Sequence, residues 1–149
     1  MPFILEVPKE YGYVLAVATS SIFVNTYHKF ATVFARRASG IQYPITYATQ
    51  EQADKDPNAY RFNLAQRAHA NFVENLTPFI VALLVAGVGY PVPATYAGAA
   101  WVAGRFAYAY GYVNKGPSGR RAGYYVSQLG KFALTTMAVL TSYRLVKAA

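Results

Sequence analysis

Hydrophobic and polar positions divide the chain into four long apolar stretches with short polar punctuation. The first covers about 11–34. It is led in by Pro8, Lys9 and Glu10, carries Asn25, His28 and Lys29 near its far end, and closes on Arg36 and Arg37. The segment 39–58 contains Gly40, Pro44 and Pro57 with the charged Glu51, Asp54, Lys55 and Asp56, which predicts a solvated loop. Asp56-Pro57-Asn58 is a helix start signal. The second stretch, about 59–89, is polar in its first half and apolar from 76 to 88. Pro91-Val-Pro93 predicts a tight turn. The third, about 94–113, has Arg105 inside it, and Asn114-Lys-Gly-Pro-Ser-Gly119 is a second turn. The fourth, about 122–143, contains Lys131 and is followed by Arg144 and Lys147. Each stretch is long enough to cross a hydrocarbon layer as a helix. Short connections favour antiparallel neighbours. The expected fold is therefore all-α, a single domain over 1–149 forming an integral-membrane, up-down four-helix bundle.

Composition supports that reading. Apolar residues make up 54% of the chain and charged residues only 13%, about half the share usual in soluble domains. The formal charge of +8 raises nucleic acid as a partner. The basic residues sit at the ends of apolar runs, so membrane orientation and anionic ligands explain them better. With no cysteine, disulfides and thiolate catalysis by the protein are excluded. Two histidines, His28 and His69, without zinc-type spacing give no reason to expect a metal. The N-terminus lacks a basic leader, and its apolar run is long enough to stay as a helix, so no cleavable signal peptide is expected. Basic residues concentrate on the two loops between helices 1–2 and 3–4, which places those loops in the cytosol.

Arg67, Asn71 and Glu74 recur at i, i+4 and i+7, which puts them on one helix face. Arg105, Tyr108 and Tyr112 form a second stripe at the same end of the third helix. Arg120 and Arg121 follow the turn, and Arg36 and Arg37 end the first helix. Polar groups at membrane depth are costly and read as functional. Arginine forks grip carboxylates, Glu74 can pair with an ammonium, and Asn71 both donates and accepts. The set suits glutathione, with two carboxylates, one ammonium and a thiol. An arginine beside that thiol would favour the nucleophilic thiolate. His69 lies roughly 200° around the helix from Arg67 and cannot share its face.

Blander roles stand beside these. Arg36, Arg37, Arg120 and Arg121 could anchor helix ends at lipid headgroups, and the tyrosines could form an interfacial belt. Arg105 could pair internally with Glu74. Lys131 reads as a snorkelling or pore-facing lysine, and His28 as an interfacial polar group.

Lys9-Glu-Tyr-Gly-Tyr13, Tyr43-Pro-Ile-Thr-Tyr47, Gln66-Arg-Ala-His69 with Asn71 and Glu74, and Tyr108-Ala-Tyr-Gly-Tyr112 occur here in order. Together they resemble the membrane-associated proteins in eicosanoid and glutathione metabolism. The pattern is most similar to the type 3 microsomal glutathione transferases of that family. The resemblance implies a homotrimer with glutathione, the co-substrate, bound between subunits near the cytosolic face. It implies Arg67, Asn71, Glu74, Tyr108 and Tyr112 from one subunit, and Arg36 and His69 facing a site from the next. The thiolate-stabilising arginine matches Arg120, because strict spacing falls on Gly119 and the turn here is one residue longer; Arg121 is the alternative. Asn75 stands where a relative has tyrosine, so that contact does not carry over.

The implied activity is transfer of glutathione to hydrophobic electrophiles, with reduction of lipid hydroperoxides, in the endoplasmic reticulum or outer mitochondrial membrane. The contrasting expectation is a non-catalytic lipid-binding scaffold like the five-lipoxygenase-activating protein. A small channel, motivated by Arg105 and Lys131, is a third.

Overall fold

The structure, a computed structural model, describes residues 7–148. Among these there are five helices and no strands: α1 (Tyr11–Ser39), α2 (Gln50–Lys55), α3 (Pro57–Gly89), α4 (Pro91–Lys115) and α5 (Arg121–Ala148). The long helices extend past the expected apolar stretches because their polar ends continue the same turns. Asp56 caps α3 by accepting from the Asn58 N–H, with Pro57 in the first turn, where a missing N–H costs nothing. Gly40 ends α1 in the left-handed conformation.

Two features differ from the sequence reading. The segment expected as loop contains α2. Thr49 and Gln52 form a capping box there, each side chain satisfying the other's backbone N–H. Polar composition alone conceals this helix. The predicted proline turn is a single residue, Tyr90; Pro91 and Pro93 lie in the first turn of α4, where helical N–H groups have no partners anyway. Pro78 lies inside α3 and leaves the Glu74 carbonyl without its usual donor.

Consecutive long helices run antiparallel. Phe79 stacks on Trp101 at 3.7 Å while Arg61 reaches Asn114, so α3 and α4 pair in opposite directions. The Tyr11 hydroxyl donates to the Leu84 carbonyl and His28 stacks on Phe72, which fixes α1 against α3 in the same sense. α3 and α4 occupy the centre, α1 and α5 pack on both of them, and α1 and α5 do not touch. A mid-helix core forms around Val14, Phe72, Phe79, Leu83, Trp101 and Leu134. A second core at the loop end joins Phe62, Ala65 and Ala68 to Tyr108, Tyr112 and Val113.

Close approach of α4 and α5 positions that end of the molecule. Gly104, Gly111, Gly119 and Gly123 face the opposite backbone. A Cβ at Gly104 would lie 2.7 Å from the Ser127 N, and one at Gly123 would collide with the Tyr108 N. Only glycine allows the start of α5 to lie this close to Tyr108. Gly123→Ala should therefore destabilise the protein by about 1–3 kcal/mol through overpacking. Gly12→Ala, with open space around it, should be neutral or slightly stabilising. Thermal unfolding in detergent checks both; equal melting temperatures would remove the seam as a constraint.

Candidate functional site

A cavity of about 540 Å3 opens where α3, α4 and the start of α5 meet. Arg67 and Asn71 reach it from α3, Tyr108 from α4, and Arg120 with Arg121 from the turn and start of α5. Five residues picked out by spacing on three segments thus share one wall. Among the described residues no acidic side chain lines it. The N-terminus of α5, with no acidic residue in its first turn, adds the positive end of a helix dipole. The electrostatic character of the cavity is therefore positive.

Tyr108 lines the cavity; Tyr112 does not, and lies behind Tyr108. Tyr108 and Tyr112 are packed edge to face at 5.6 Å and are buried in the loop-end core. The Arg120 guanidinium lies 4.8 Å from the centre of the Tyr112 ring, and its Nη1 donates to the Tyr108 hydroxyl at 3.4 Å. Two rings and a hydroxyl therefore hold Arg120 over the cavity. Arg121 lines the same space.

Arg105 lies deeper, 1% exposed. Its Nη2 donates to Asn71 Oδ1 at 2.8 Å, and its guanidinium lies 4.6 Å from the Tyr108 ring centre. Its Nε has no partner. The anticipated internal pair with Glu74 is not formed. Glu74 instead accepts from Arg67 at 2.8 Å, a half-exposed ion pair, because the seven-residue spacing on α3 brings those two side chains together. Asn75 Nδ2 donates to the Asn71 carbonyl, and Lys131 donates to Asn75 Oδ1 at 3.0 Å. Lys131 is therefore tied to α3 by an amide rather than extended alone.

Glu74 and His69 line a neighbouring recess of about 350 Å3 with Tyr47 and Gln66. Arg67 links the two spaces: it lines the cavity and pairs with an acid in the recess. His69 is also 6.0 Å from His28, ring to ring. His28 is buried against Phe72, a core position and not the interfacial one expected.

Arg36 is not brought to the cavity. Its Nη1 donates to the carbonyls of Ile41 and Ile45, at 3.3 and 2.7 Å, and its guanidinium lies over Tyr43 and Phe62. Within the protomer it ties down the segment after α1. Asn63 holds that segment from below, exchanging two hydrogen bonds with the Ala48 backbone. Pro117, Ser118, Tyr124 and Tyr125 complete the cavity wall; the sequence signal for the two tyrosines was the i, i+4 step from Arg120 and Arg121, and Pro117 and Ser118 belong to the turn before them.

The chain is all-helical with an arginine-lined cavity at one end, and among the described residues one helix, α3, is long and apolar enough to cross a membrane, where the sequence reading expected four such spans. The chain matches the profile of the MAPEG family over residues 14–140 and belongs to that family. The family includes glutathione transferases and peroxidases, and also non-enzymatic lipid-binding members.

Asn71 carries a specific structural load. Asn71→Ala would leave Arg105 buried with its hydrogen bond unmade and should cost about 1–3 kcal/mol. Urea unfolding of wild type and variant in detergent measures this. A difference near zero would mean that water replaces the amide without penalty.

Proposed function

We propose that the protein is a membrane-bound glutathione transferase with glutathione-dependent peroxidase activity, of the type 3 microsomal kind. The observation that carries this reading is Arg120, held over Tyr108 and Tyr112 at the edge of an arginine-lined cavity without acids. A thiol placed there loses its proton to solvent more readily, because the guanidinium stabilises the sulfur anion. Arg67 and Arg121 supply forks for carboxylates. Asn71 lines the cavity and is held from behind by Arg105. The exposed Arg67–Glu74 pair costs only about 0–1 kcal/mol to open, so a zwitterion can exchange into it, carboxylate to Arg67 and ammonium to Glu74.

The thiolate attacks a hydrophobic electrophile, forming a carbon–sulfur bond as the leaving group departs. With a hydroperoxide, two glutathione molecules give the disulfide, an alcohol and water. The protein contributes mainly positioning and anion stabilisation.

We further infer a homotrimer of up-down four-helix protomers, with the short α2 belonging to a cytosolic loop. Support comes from apolar surface left uncovered on α3 and α5. Val81 and Val139 are more than half exposed there, beside a groove of about 440 Å3. In that assembly His69 and Arg36 would face a neighbouring subunit's site. The electrophile would enter from the bilayer between subunits, and the membrane would be that of the endoplasmic reticulum. Among the described residues no His, Asp or Glu cluster calls for a metal.

The ultraviolet difference spectrum on adding glutathione decides the matter. A thiolate band near neutral pH that disappears in Arg120→Ala is expected. A band that persists in Arg120→Ala moves the role to Arg121. No band and no glutathione binding would sink the transferase and favour the lipid-binding scaffold of the same family. Glu74→Gln should weaken glutathione binding about tenfold, equivalent to ~1.4 kcal/mol; calorimetry showing unchanged affinity would remove Glu74 from the site.

A further inference from the structure

A second, partly open space, of about 420 Å3, lies where α1, the start of α3 and the end of α4 converge. It is separate from the arginine-lined cavity. α1 forms its wall where α5 forms the wall of the other, and α1 and α5 do not touch. Phe30, Ala31 and Phe34 give it an apolar side, and Tyr27, Asn58 and Arg61 give it a polar one.

We propose that this space seats an anionic phospholipid, with the phosphate on Arg61 and one acyl chain along α1. The charge argument comes first. Arg61 is exposed and uses its Nη2 in one hydrogen bond, to Asn114 Oδ1 at 2.9 Å. Among the described residues it has no carboxylate within 4.0 Å. Asp56, the nearest acid in sequence, is turned to the Asn58 N–H as the cap of α3. Among the described residues no acid lines the space. A guanidinium fork, the Asn58 amide and the Tyr27 phenol are donor groups for phosphate oxygens. With an arginine but no carboxylate among the described lining residues, the net charge of the space favours a net-anionic headgroup over a zwitterionic one.

The geometry of α1 supplies the chain's track. Phe23, Tyr27, Phe30 and Phe34 recur at i, i+4, i+7 and i+11, one stripe along the helix. Phe23, Phe30 and Phe34 are each more than half exposed, and the Phe30 and Phe34 rings lie 6.1 Å apart. Phe106 of α4 packs on Tyr27 at 4.7 Å and walls the track on its other side. The stripe is about 16 Å long at the helical rise, close to half of the ~30 Å hydrocarbon core. That is the depth of one leaflet, which fits a phospholipid chain entering from the arginine-bearing end. The short step from α3 to the helix end sets Arg61 at the mouth, where a headgroup would lie.

Native mass spectrometry of the delipidated protein in detergent tests this, with equal amounts of phosphatidylserine and phosphatidylcholine carrying the same acyl chains. Retention of phosphatidylserine about tenfold over phosphatidylcholine is expected, a ratio set by one charge-assisted contact. Arg61→Gln should remove the preference and Arg61→Lys should keep most of it. Ala31→Trp, which fills the apolar side, should displace both lipids. Equal retention of the two lipids, or a preference that survives Arg61→Gln, overturns the proposal. Oleate displacing phosphatidylserine would also overturn it, in favour of a single-chain carboxylate. If Arg61→Gln does not fold, the ratio measured on the unaltered protein still decides. The readout contains no glutathione, so its failure leaves the transferase reading untouched.

Discussion

A guanidinium buried without a carboxylate organises the arginine-bearing end of this molecule. Arg105 is almost fully buried, and its contacts are an asparagine oxygen and aromatic faces. Burying a cation is expensive unless polar groups surround it. Asn71 must therefore point at Arg105, which fixes the rotation of α3 against α4. Tyr108 packs beside the guanidinium, and Arg120 in turn rests on that ring. The part of the cavity wall made by Asn71 and Tyr108 thus depends on that one desolvated charge. Among the described residues Arg105 has no ion pair, so its charge adds to the positive potential of the cavity.

The glycine seam between α4 and α5 is the complementary constraint. Gly104, Gly111, Gly119 and Gly123 let the two backbones meet, and helices joined this way slide or rotate very little. The arginine of the α4–α5 turn is thus placed by main-chain contact, while its immediate environment is set by side chains. Rigid placement matters for an anion-stabilising group, because an arginine free to follow the anion gives no preorganised field.

Much of this was legible before the fold was known. Asp56-Pro57-Asn58 marked the start of α3, and the turn at 114–119 separated α4 from α5. Helical periodicity is a local property, so the i, i+4, i+7 stripes could bring Arg67, Asn71 and Tyr108 to one cavity; Glu74 lines the neighbouring recess instead, and Arg105 and Tyr112 lie outside the cavity lining. Pairing across helices was not legible. Glu74 and Asn71 lie on the same face, and only the register of α3 against α4 decides that Arg105 takes the amide and leaves the carboxylate to Arg67. Arg36 has the same signature as any basic residue at a helix end, and the carbonyls of Ile41 and Ile45 that hold it appear only once the chain folds back. The capping box of α2 was written in Thr49 and Gln52 but masked by proline, glycine and charge around it.

The single residue joining α3 to α4 has a consequence for how such a protein is made. With only Tyr90 between them, α3 and α4 would, in the membrane-spanning reading proposed above, enter a bilayer as a hairpin rather than one at a time. Arg105 and Asn71 are carried on opposite arms of that hairpin and are joined by a hydrogen bond. On that reading the guanidinium would meet its acceptor during insertion rather than after it. The bare charge would then not be presented to lipid alone, and biogenesis would meet a smaller barrier than the sequence of α4, taken by itself, would impose.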